Sequence, residues 1–207
     1  MTAAVLAFAF LFSVVHIGIG KFGQWNTDSD LVEQDTNALL LKNDLPEGSY
    51  RVDTYKIHDN IGMWLDKSCL QYFGSTAAPS ILSFYPALGV KRDVRSEPEL
   101  SNYALRGLLS VEYLITTPEK QGAFEAEADD GWAYAFAKDG YVVYRNENYV
   151  PMGFTYDYYL TESEYEETAK TTRSNLLMRA LVLSDEDAET YGKYLTHLPE
   201  GKREELS

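Results

Sequence analysis

The sequence predicts a mixed α+β domain, a small sheet flanked by helices, preceded by one transmembrane helix. Three observations predict it. Residues 1–20 form an uncharged apolar run, several short β-branched and aromatic segments are separated by turn residues, and helix-start signals lie on both sides of those segments. With 207 residues the chain has room for an ordinary domain and an anchor, but not for two well-cored domains.

The anchor comes first. Thr2 to Gly20 contains no Asp, Glu, Lys or Arg. At 1.5 Å per residue such a helix reaches about 30 Å, the thickness of a bilayer's hydrocarbon core. A signal peptide and a buried core helix compete with this reading. A signal peptide, however, carries its basic residue ahead of the apolar run, whereas Lys21 follows it, and core helices are usually shorter and less uniformly apolar. His16 is expected at the membrane interface or against a neighbouring helix. A span that starts at residue 1 without flanking charge reads as cut from something longer, with Met1 an accidental start or the edge of a partial gene.

Residues 21–44 read as a linker or a short helix over Asp28–Lys42 capped by Thr27 or Asp28. The domain proper is expected over 45–197. Ser49–Tyr55 alternates as a strand does, after the breaker Pro46-Glu-Gly48. Pro79–Leu88 has proline at a first helical turn and Gly89 as a stop, and Pro98–Leu109 repeats the pattern. Ser110–Thr117 reads as a strand and 118–131 as an acidic loop. Asp139-Gly140 between two aromatic runs is a strong hairpin signal. A third strand is expected over Met152–Leu160, then a capping box at Thr161-Glu-Ser-Glu164 and helices over 162–170, 174–183 and 185–195. Residues 198–207 read as a charged tail, frayed from Glu200.

Composition narrows the partners. The chain carries 32 acidic and 18 basic residues, a net charge of −14. Residues 1–120 hold 14 acids and 10 bases and the remainder 18 and 8, so no basic patch exists and nucleic acid is excluded as a partner. Cys69 is the single cysteine, which rules out an intrachain disulfide and leaves the fold to its core.

Motifs for chemistry are sparse. His16, His58 and His197 are not at metal-ligand spacing with each other or with Cys69. His58-Asp59 are neighbours that a strand would point to opposite faces. Asp28-Ser-Asp30 has the form of a divalent-cation motif, but a solvated helix start explains the same residues. Serine-nucleophile and phosphate-loop patterns are absent, and Glu162–Glu167 reads as a solvated helix face. No catalytic residue, cofactor or metal is assigned. Sixteen tyrosines and three tryptophans offer flat faces for sugars, and Trp132, Tyr134, Tyr144, Tyr156 and Tyr158 are the candidates for carbohydrate contact, against the alternative of a core or cross-strand ladder.

Several stretches together resemble the bacterial YfhO membrane protein family, whose members look like multi-spanning GT-C-type glycosyltransferases. They are Tyr50-Arg-Val52, Cys69–Thr76, Ser83–Gly89, Leu108–Thr116 and Tyr144–Phe154, the last with Asn-Glu followed by Pro-x-Gly-Phe. The likeness covers roughly residues 45–185. It implies a polytopic enzyme that moves a sugar from a polyprenyl-phosphate carrier to a cell-envelope polymer such as teichoic acid. Residues 1–20 would then be the last transmembrane helix of a truncated bundle, and the rest of this chain a non-catalytic accessory part on the extracytoplasmic side, in contact with the bilayer and with the sugar carrier or a wall glycopolymer. The rival readings are a single-pass anchored binding or structural domain of the cell envelope, and a secreted binding domain with a cleaved signal.

Overall fold

The computed structural model describes residues 2–22 and 29–206. Helix α1 (Thr2–Phe22) is the expected apolar span, and none of its Thr2–Gly20 window is buried against the rest of the chain. A buried core helix is thereby excluded for this segment. Thr27 and Asp28, the expected caps of the next helix, lie outside the described residues.

The stretch after the anchor is helical, α2 (Ser29–Leu41). Its inward side chains Ala38 and Leu41 are fully buried, so it is part of the core. The main sheet has the order β1-β4-β6-β5, from β1 (Arg51–Thr54), β4 (Val111–Thr116), β5 (Trp132–Lys138) and β6 (Tyr141–Asn146). β1 runs parallel to β4, with Val52 opposite Tyr113 and Asp53 opposite Leu114, while β4–β6 and β6–β5 are antiparallel. Alternation gives the sheet two apolar faces. One carries Val52, Tyr113, Ile115 and Val143 and is covered by α2 and the short α3 (Gly62–Leu65). The other carries Leu114, Val142 and Tyr144 and is covered by α6 (Pro118–Glu127). The β5–β6 turn is Asp139-Gly140, both at positive φ, as the hairpin signal requires.

Between β1 and β4 the chain makes a two-stranded ribbon, β2 (Tyr72–Phe73) with β3 (Arg95–Ser96), and two helices, α4 (Pro79–Ala87) and α5 (Tyr103–Leu108). The C-terminal part builds a parallel three-stranded sheet in the order β8-β7-β9, from β7 (Tyr158–Thr161), β8 (Ala180–Leu183) and β9 (Thr196–His197). Helices α7 (Glu162–Glu167), α8 (Arg173–Leu177), α9 (Asp185–Tyr191) and α10 (Glu200–Leu206) surround it. Leu160, Leu176, Ala180 and Leu198 form its core, and Tyr165 and Leu177 join it to the α4–α5 cluster of Tyr85, Leu88 and Leu105.

The mixed α+β class and the anchor are thus as expected, and five local readings change. Residues 118–127 are a helix, not a loop: Pro118 opens it and Phe124 anchors it against Tyr144 and Tyr55. The expected strand over Met152–Leu160 shortens to its last residues and pairs in the second sheet, because Pro151 and Gly153 (φ 85°) break the extended run. The helix expected over 174–183 ends at Leu177, and Ala180-Leu-Val-Leu183 becomes β8; a short apolar run carries no period that separates buried strand from helix. The helix expected from Pro98 begins at Tyr103. The tail beyond Glu200 is helical, with Arg203 paired to Glu164 at 3.2 Å.

Candidate functional site

Because β1 and β4 are parallel, their carboxyl ends open on the same edge of the sheet, where ligands of α/β folds commonly sit. Thr116 Oγ1 donates to the Tyr55 carbonyl at 3.0 Å and holds the two ends together. Beyond them lies a cleft of about 410 Å³, lined by Tyr55, Lys56, Gln71, Glu97–Ser101, Arg106 and Glu127.

Its floor is a buried ion pair. Arg106 and Asp53 are each 0% exposed, with Nε donating to Oδ2 at 2.8 Å. The other guanidinium nitrogens donate to the carbonyls of Glu99 (2.7 Å), Asn102 (3.2 Å) and Pro98 (2.9 Å), so Arg106 ties the 98–102 wall of the cleft to β1. Asp53 also accepts the Thr54 amide at 2.9 Å. Burial pushes its carboxyl up, while Arg106 and that amide pull the other way. Gln71 is fixed by donating to the Thr54 carbonyl at 2.5 Å. At the rim Lys56 pairs with Glu127 at 3.0 Å, and this bond holds the Glu127 carboxyl below its ordinary value. The cleft therefore presents carboxylates, amide and hydroxyl groups beside a tyrosine, with its deep cation already neutralised. Such a lining suits a ligand rich in hydroxyls better than a phosphate.

A larger, more open cleft of about 620 Å³ runs past Asn60, Gly62, Met63, Lys67, Cys69 and Phe73. Burial, and next the charge of Asp53, push the Cys69 thiol up to about 12, which favours the protonated thiol at neutral pH.

The five aromatic candidates fall into two separate groups. Trp132, Tyr134 and Tyr144 lie on the β5–β6 hairpin. Trp132 packs edge-on to Tyr103 at 5.7 Å, and Tyr144 is 3% exposed with its hydroxyl on Glu125 at 2.5 Å. Tyr134, directly opposite Tyr144 and in T-shaped contact with its ring at 6.1 Å, is 58% exposed. Tyr156 and Tyr158 belong to the second sheet region: Tyr156 donates to the Leu177 carbonyl at 2.5 Å, and Tyr158 lies between Arg179 and Lys202. His58 and Asp59 do not work as a pair. His58 Nε2 faces Asp35 at 3.0 Å, while Asp59 binds Arg95 at 2.6 Å. Side chains of the Asp28-Ser-Asp30 stretch lie outside those described. Among the described residues no group of three His, Cys, Asp or Glu comes together to hold a metal.

Arg106, Asp53 and Gln71 were not candidates in the sequence. One signal was present: Asp53 is an acid at an alternating position of an otherwise β-branched and aromatic strand, where a buried charge needs a partner.

An exposed apolar helix long enough to span a bilayer, followed by a mixed α/β domain with a polar cleft, is an arrangement consistent with membrane anchoring. The chain belongs to the family described as bacterial membrane protein YfhO, whose model matches residues 2–205. No curated protein and no solved structure matches it.

Proposed function

We propose that this chain is the accessory, extracytoplasmic part of a GT-C-type membrane glycosyltransferase-like protein, one that passes sugar from a polyprenyl-phosphate carrier to a cell-envelope polymer. Its own task is to hold uncharged, hydroxyl-rich sugar units of that polymer, in the cleft at the carboxyl ends of β1 and β4. The observation that carries this reading is the cleft's lining: Glu97, Glu99 and Glu127, with Lys56 the exposed cation among the lining residues and Arg95 3.7 Å from Glu97, over an arginine four of whose five N–H donors are engaged. A neutral polyol exchanges water for these groups at little cost, whereas a phosphate meets net repulsion. The carrier phosphate then belongs elsewhere on the parent protein.

The test is titration of the full chain in nanodiscs with neutral wall-polymer oligosaccharides, followed by calorimetry. Saturable binding is expected, weakened at least about tenfold in Glu97→Ala and Glu127→Ala, the loss of one charge-assisted hydrogen bond. Absence of binding, or binding untouched by both substitutions, would overturn the cleft as the polymer site.

A further inference from the structure

Helix α2 carries exposed aliphatic side chains as well as buried ones, with Glu33 the one exposed carboxylate beside them among the described residues. Ala38 and Leu41 point into the core, and on the opposite side Val32, Leu39 and Leu40 are 54%, 46% and 51% exposed. Between them Thr36 turns its hydroxyl back onto the Val32 carbonyl at 2.8 Å, which removes it as a polar group of that face. The surface continues onto α3, clasped to the end of α2 by the 2.8 Å pair of Lys42 with Asp66, where Met63 is 79% and Trp64 41% exposed. A surface helix ordinarily turns a polar face outward, and a row of exposed aliphatic side chains next to an exposed tryptophan and methionine marks an interaction surface.

What covers it follows from the chain's geometry. Only residues 23–28 separate the end of α1 from the start of α2. Fully extended, that stretch reaches about 25 Å at most. With α1 in a bilayer, α2 cannot leave the neighbourhood of the membrane surface. We infer that the outer face of α2, with Met63 and Trp64, docks on the lipid interface, so that the domain lies down on the membrane instead of hanging from it. A tryptophan beside a row of aliphatic side chains is the composition that settles at the headgroup boundary. The chain's net charge of −14 repels anionic lipid, so this docking is apolar in origin and needs no acidic headgroup.

The full chain reconstituted in phosphatidylcholine vesicles brominated near the top of the acyl chains tests this. The tryptophan quenching of the unsubstituted chain, less that of Trp64→Phe, isolates Trp64 while Trp25 and Trp132 stay constant. Expected is a Trp64 component quenched by bromolipid, shielded from aqueous acrylamide, and unchanged by 0.5 M salt. The double variant L39D/L40D, on exposed positions that leave the core intact, should make that component accessible to acrylamide with α1 still inserted. A Trp64 open to acrylamide in the unsubstituted chain would overturn the inference. So would one shielded from both quenchers, since the cover would then be protein, such as a second copy of the chain.

Discussion

Arg106, fully buried, ties β1 to the 98–102 segment through one carboxylate and three carbonyls. Replacing it with alanine strands the buried Asp53 carboxylate, and the expected loss is about 3–5 kcal/mol, read as a lowered urea midpoint. The double variant D53L/R106M separates two causes. It removes the stranded charge but still leaves the carbonyls of Pro98, Glu99 and Asn102 without their donor, so it should recover only part of the loss. Full recovery would mean that the carbonyl contacts contribute nothing. Arg173 is built on the same plan, donating to the carbonyls of Thr168, Ala87 and Glu166. Neither arginine was legible as structural in the sequence. The partners of each are backbone oxygens and, for Arg106, a carboxylate 53 residues away, and no local pattern encodes a contact at that separation. The aromatic candidates show the opposite limit: composition marked them, but whether a ring faces solvent or core depends on what packs over it. Helix α6 covers Tyr144 and leaves Tyr134 open.

At the scale of elements, legibility follows the locality of the signal. The Asp139-Gly140 turn, the Thr161–Glu164 capping box, and the proline-opened, glycine-closed α4 are all set by residues within a few positions of one another, and each is found where it was expected. Helix α6 was lost because its one deeply buried apolar residue, Phe124, gives no period among acids and Gly122. Phe124→Ala should cost about 3–5 kcal/mol in a denaturation experiment, since nothing else fills the space among Tyr55, Trp132 and Tyr144. The capping box adds a pH response. Partial burial works to raise the Glu164 carboxyl, but the Thr161 amide, His197 and Arg203 together carry it below its ordinary value. A carboxyl depressed in the fold stabilises fully above its unfolded value near 4.5 and loses that contribution as pH falls through the folded one. Thermal melts taken from about pH 6 down to pH 3 should therefore show a shallower acid loss for Glu164→Gln than for the unsubstituted chain; parallel curves would sink the assignment.

For the whole molecule, the anchor was the most legible feature and the packing of its neighbour the least. Length and absence of charge over Thr2–Gly20 are properties of the sequence itself, and the exposure of that helix agrees with them. An arginine at Phe12, near the middle of α1, should cost about 2.5–3.5 kcal/mol of insertion, visible as chain released by carbonate extraction of membranes. Residues 21–44 read as linker or helix because α2 mixes Val32, Leu39 and Leu40 with Glu33 on its exposed side, so no clean polar face marks it as a surface helix.

The parallel pairing of β1 with β4 also sets an order of events during synthesis. Arg51 is held by the Leu109 carbonyl 58 residues later, Tyr55 by Thr116 after 61, and β4 in turn needs β6. Closing loops of that length costs chain entropy before any contact repays it, so β1 is expected to pair only after β4 has been synthesised. The β5–β6 hairpin, whose strands are joined by two residues, is the natural nucleus, and the first half of the domain waits for it. The anchor is thus made long before the sheet it precedes, and for that interval it tethers an unfolded chain whose β-strand edges are still unpaired.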